Sequence, residues 1–186
     1  MAAVTESIEL VAARVRTGGP RLGRTRLVVV DGPAGAGKTT YAGTLARELG
    51  DAQVVHMDDL YEGWDGLGPG VYQRLGDWLL GPLAAGRPGG YRRYDWCAAQ
   101  FAEWHEVAPG AVLVLEGVGA AGLPVDGWAT LRVWVQAPAP LRLARGLARD
   151  GAGLRDRWLR WAQDEQAHFA ADRTRERAEV IVDGTG

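Results

Sequence analysis

The sequence predicts an α/β fold with a five-stranded parallel sheet and helices on both faces, and three observations predict it. Five short, largely apolar runs, at 27–30, 54–56, 111–115, 131–135 and 180–182, read as strands, the first of them a continuous β-branched run typical of a strand covered on both sides. Segments with helical spacing alternate with these runs along the chain. A glycine-rich turn leaves the first run and leads straight into a helical segment.

Taken in order, residues 5–16 read as an amphipathic helix, with Val4, Ile8, Val11 and Val15 on one face. A loop containing three glycines and a proline spans 17–23. The first strand follows, then the turn, a helix over 39–49 and the second strand. Residues 61–70 form a glycine-rich loop. Residues 71–83 suit a helix with Leu75, Trp78 and Leu79 on one side, broken over 86–94 by Pro88 and paired glycines. Helices over 140–149 and 155–171 precede the last strand. Trp78, Trp134, Trp158 and Trp161 are expected in packing, and no internal repeat is present.

Composition narrows the classes. The 186 residues fit one domain, 1–186, carrying a small lid. A net charge of −2 gives no global basic field for nucleic acid or an anionic membrane. No apolar window suits a signal peptide or a membrane span. A lone cysteine, Cys97, excludes an intrachain disulfide and fits a reducing compartment, so the expected location is the cytoplasm. Lys38 is the only lysine, in a chain that otherwise uses arginine. A compact point charge is therefore needed there, and a guanidinium fork does not serve.

Lys38 closes the run Gly32-Pro33-Ala34-Gly35-Ala36-Gly37-Lys38-Thr39, which satisfies G-x-x-x-x-G-K-[ST] in full. Glycines let successive N–H groups turn inward as an anion nest, and the following helix adds its partial positive charge. Gly32, Ala34, Gly35, Ala36, Gly37, Lys38, Thr39 and Thr40 are thus expected at the phosphates of ATP or GTP. Lys38 reaches the β- and γ-phosphates, and the Thr39 hydroxyl holds Mg²⁺. The run 111–115 ends in Glu116-Gly117, an acidic residue at the carboxyl end of a buried strand, where it is a second candidate for Mg²⁺. Asn-Lys-x-Asp, which reads guanine, is absent from the sequence.

At Val54-Val55-His56-Met57-Asp58-Asp59-Leu60-Tyr61 the sequence resembles the uridine kinase family and its nicotinamide riboside kinase relatives. Asp31-Gly32-Pro33, Tyr94-Asp95-Trp96, Val114-Leu115-Glu116-Gly117, the arginine-rich 141–150 and His168-Phe169 with 178–182 resemble further family segments in the same order. The resemblance implies a P-loop kinase that transfers the γ-phosphoryl group of MgATP to a hydroxyl of a nucleoside-like molecule. It implies Asp58 as the general base. It also implies a short lid, about 145–157, and an acceptor-site insert, about 60–96.

Arg142, Arg145 and Arg149 fall on one helical face, suited to charge on the transferring group. Arg142 is expected to contact the nucleotide, and Arg145 and Arg149 to act in transfer. Gly151 and Gly153 would let that segment move. On the acceptor side, Tyr61, Trp64 and Tyr94 are candidates to stack on a ring and Arg93 to read a polar ring edge or a phosphate, beside Asp58 and Glu116, and the resemblance implies Asp65 as the holder of a diol. The sequence departs from the family pattern at Asp59-Leu60, where the family usually has an aromatic before the tyrosine, and in lacking Asp-His-Pro further on. A kinase for a vitamin precursor, sugar or secondary metabolite, or a slow ATP-binding switch, are the alternatives.

Overall fold

The computed structural model describes residues 6–50 and 52–185. Helix α1 (Ile8–Thr17) starts at Ser7, whose hydroxyl accepts from the Leu10 N–H. Val4 of the expected helix lies outside the described residues. Strand β1 (Arg26–Asp31) leads through the glycine loop into α2 (Lys38–Glu48) and then β2 (Gln53–His56). Strand β1 alternates between two cores. Leu27 and Val29 face one layer with Val55, Leu113 and Leu115, and Val28 and Val30 face the other with Val114, Val133 and Val135.

After β2, a helical stretch runs as α3 (Pro69–Arg74), a π-helical segment Leu75–Leu80 and α4 (Gly81–Ala84). The wide turn lies just before Pro82, which has no N–H to donate, and Gly81 bonds five residues back to the Gly76 carbonyl. Two strands that the sequence reading did not include follow, β3 (Gly89–Asp95) and β4 (Gln100–Val107). They pair antiparallel as a separate two-stranded sheet. Pro88 and the glycines read as a break, but they open a hairpin. Its strand β4 is mostly exposed, so it lacks the buried apolar run that marks the main-sheet strands.

Strands β5 (Val112–Glu116), β6 (Ala129–Gln136) and β7 (Val180–Asp183) complete the main sheet. Helices α5 (Ala139–Asp150), α6 (Arg155–Asp172) and the short α7 (Thr174–Arg177) lie between β6 and β7. The order is β2-β5-β1-β6-β7, every pair parallel. Five parallel strands flanked by helices bear out the expected fold class. Among the described residues, no helix is long and apolar enough to cross a membrane.

Candidate active site

Three strand ends meet on one edge of the sheet. Val30 of β1 registers with Glu116 of β5, and Glu116 with His56 of β2. This is the carboxyl edge of a parallel sheet, where such folds bind ligands. The glycine loop opens on the same edge. Gly35 and Gly37 take φ of +77° and +99°, values that strain any side chain. A Cβ on Gly35 would lie 2.5 Å from the Arg142 carbonyl oxygen, so the loop packs directly on the α5 backbone. Gly37 caps α2, and the helix begins with Lys38 and Thr39. The first N–H groups of α2 therefore face the loop, an arrangement suited to anions.

Lys38 is buried and its Nζ donates to the Pro33 carbonyl at 3.0 Å. Thr39 Oγ1 donates to Glu116 Oε1 at 3.0 Å, and His56 Nδ1 lies 2.5 Å from the same oxygen. Glu116 is 4% exposed. Its hydrogen bond to His56 raises the imidazole pKa above the ordinary value, partly opposed by burial. A hydroxyl and a carboxylate oxygen are hard donors of the kind Mg²⁺ takes, so this pair fits that ion.

Asp58 lies in the tight turn Met57–Asp59 just after β2. It is open to solvent on one side and crowded by protein on the others. Crowding raises its carboxyl above the ordinary value; Lys38 opposes the rise, Glu116 adds to it, and Arg149 and His56 oppose it. Those four groups name its surroundings: the loop lysine, the strand-end carboxylate, one arginine of α5 and the histidine that ends β2. Asp59 shares His56 with Asp58 and also meets Tyr91, Arg93 and His105 of the hairpin.

The three arginines of α5 have different partners. Arg142 pairs with Glu165 at 3.0 Å and donates to the Ala34 and Ala137 carbonyls. Arg145 donates to the Gly184 carbonyl at 2.7 Å. Arg149 pairs with Asp150 at 2.7 Å, and its guanidinium lies over the Trp158 ring, 5.7 Å from the centroid. Asp150 also accepts from Trp158 Nε1 at 3.1 Å. The charge of Arg149 acts on Asp58.

The acceptor-side candidates separate as clearly. Tyr61 has no exposed surface. Its hydroxyl donates to the Val118 carbonyl and its ring meets Trp161 edge-on at 5.2 Å, so it braces the loop and offers no face for stacking. Tyr94 is nearly as buried, against Trp96 and Phe101. Trp64 joins the hairpin to α6, with Trp96 at 5.7 Å on one side and Trp158 and Trp161 at 6.3 and 6.1 Å on the other. Trp96 is 40% exposed, and its Nε1 donates to the Asp58 carbonyl at 3.0 Å. Asp65 lines an open cleft of about 440 Å³ with Trp64, Asp164 and His168. Arg93 pairs with Glu103 through two bonds, of 2.6 and 3.2 Å. Thr40 is exposed on the first turn of α2.

Two further carboxylates, given no site role by the sequence, support the glycine loop. Asp31, fully buried at the end of β1, accepts from the Gly32, Gly119 and Ala121 N–H groups and ties the loop after β5 to the glycine loop. Burial pushes its carboxyl up to about 6 despite those bonds. Glu165, 2% exposed, accepts from the Ala34 N–H at 2.8 Å. The signal for Glu165 was present in the spacing: Trp158, Trp161 and Glu165 lie on one helical face, so a buried face carries a carboxylate that needs a partner.

Solved structures share this architecture. A possible uridine kinase from Bacillus stearothermophilus superposes with a TM-score of 0.71 at 18% identity, over 95% of this chain and 97% of that one. The chain has the uridine-kinase-like fold. A candidate fructose transport system kinase from Silicibacter sp. TM1040 shares the fold with a TM-score of 0.64 at 23% identity, over 96% and 98% of the two chains. The YGR205w protein aligns over 79% of this chain with a TM-score of 0.51 at 13% identity. No family model and no curated protein sequence matches the chain. At these identities the likeness shows the uridine-kinase-like fold alone.

Proposed function

We propose that the chain is an ATP-dependent small-molecule kinase that transfers the γ-phosphoryl group of MgATP to a hydroxyl of a nucleoside-like acceptor. One observation carries the reading: Lys38 and Thr39 at the head of α2, Glu116 at the end of β5 and Asp58 in the turn after β2 come from three separate segments and converge on one sheet edge. A loop that only bound a nucleotide would need no second carboxylate facing Lys38. In this reading the backbone N–H groups of 35–39 and Lys38 hold the phosphates. Thr39 and Glu116 hold Mg²⁺, which when bound neutralises phosphate charge. Asp58 orients the acceptor hydroxyl and accepts its proton, and Arg149 stabilises charge on the transferring group. Residues 145–157 act as the lid and 60–96 as the acceptor-site insert of one domain.

A second reading keeps the chemistry and changes the acceptor. It is favoured by Arg93, the expected reader of a ring edge, whose guanidinium is taken up by Glu103. A sugar or vitamin precursor needs no such reader.

The test is ADP release by purified protein with MgATP across nucleosides, nicotinamide riboside, pantothenate and simple sugars. Nucleoside-dependent turnover supports the first reading and names the acceptor; turnover with another member supports the second. Lys38→Ala is the control and should lower turnover by about 10²–10³, the loss typical of removing one stabilising donor. An active Lys38→Ala protein would sink the assignment of the loop.

A further inference from the structure

Ala34, at the outer corner of the glycine loop, is held by both of its backbone polar groups. Its N–H donates to Glu165 Oε2 at 2.8 Å, and its carbonyl accepts from Arg142 Nη1 at 3.2 Å. Arg142 Nη1 also lies 3.0 Å from Glu165 Oε1, and Arg142 Nε donates to the Ala137 carbonyl at 3.1 Å. One ion pair thus fastens the loop to α5 and α6 together. Its setting is apolar: Leu143, Trp158, Leu159 and Trp161 line the cleft of about 300 Å³ beside it. A buried carboxylate in such a place is costly unless a cation and hydrogen bonds satisfy it.

Electrostatics make the pair matter to the ligand. Burial raises the Glu165 carboxyl, and Lys38 is close enough to oppose that rise. The negative charge of Glu165 therefore lies within reach of the same loop that would receive phosphates. Unneutralised, it would repel them. The Arg142 guanidinium that neutralises it already has acceptors at Nε and Nη1.

We infer that Arg142 serves the nucleotide site as the counter-ion of Glu165 and not as a phosphate ligand, and that the pair positions the Ala34 corner of the loop. This rests on the nucleotide-binding reading above. Both are positioning residues. Glu165 shapes the loop through the Ala34 N–H, and Arg142 cancels the charge that shaping brings in.

The test is a charge-compensation cycle read by calorimetric titration of MgATP, with wild type, Glu165→Gln, Arg142→Met and the double variant. Glu165→Gln keeps a carbonyl for the Ala34 N–H and should bind within about threefold of wild type. Arg142→Met should weaken binding about tenfold or more, because an unpaired carboxylate faces the phosphates. The double variant should regain affinity to within about threefold of wild type, since the charge that needed Arg142 is gone. A double variant as weak as Arg142→Met, or weak by itself if Arg142→Met does not fold, would overturn the inference and return Arg142 to the phosphates. Wild-type protein that binds no MgATP would instead overturn the nucleotide reading. Melting temperatures of the four proteins separate the two failures, because the buried pair predicts that Glu165→Gln offsets the Arg142→Met loss without any ligand.

Discussion

Thr39, at the head of α2, donates a 3.0 Å hydrogen bond to Glu116 at the end of β5. The two residues are 77 positions apart, and the parallel pairing of β1 with β5 brings them together. If this pair holds Mg²⁺, Glu116→Gln should raise the Mg²⁺ concentration for half-maximal turnover by about tenfold to a hundredfold, the range found when the groups around a metal are altered. A Mg²⁺ titration at fixed ATP checks this, and an unchanged midpoint would remove Glu116 from the metal.

Asp58 sets the expected pH dependence. A general base works deprotonated, so turnover rises with pH through its pKa and then levels. Protein crowding on its closed sides holds that pKa above the ordinary carboxylate value of about 4. The acid limb of kcat/KM should therefore lie higher than an exposed aspartate would give. Asp58→Asn should lower kcat by roughly 10²–10⁴ and abolish that limb, with ATP binding little changed. Loss of ATP binding in its place would assign Asp58 to the metal.

Gly146 packs on the ring of Trp158, and a Cβ there would overlap the indole. Gly146→Val should push α5 from α6 and destabilise the protein by about 1–3 kcal/mol, as overpacking does. Urea unfolding measures this. The same change should move Trp158 away from Asp150 and Arg149, so the tryptophan emission should shift as well. A variant as stable as wild type would mean that α5 does not rest on Trp158.

Local signals carried much of this protein. The five buried runs, the glycine motif and the solitary Lys38 are each written within a few neighbouring residues, because strand burial and loop conformation select residue type position by position. The structure bears out the strands to within two residues at each end. Glu116 was legible for the same reason, because it ends a buried strand, whereas Asp58 was named only through the resemblance of the segment after β2 to the uridine kinase family.

What tertiary structure decided is which partner each polar group meets. Helical spacing put Arg142, Arg145 and Arg149 on one face but could not tell Glu165, Gly184 and Asp150 apart as their partners. Tyr61 read as a stacking residue from its aromatic, charged surroundings, yet it is sealed beneath Trp161. The hairpin escaped because its strands pair with each other and expose most of β4, so no buried run announces them. Ion pairs and ring contacts join residues tens of positions apart, and pairings of that kind arise only when the sheet and its helices have closed on one another.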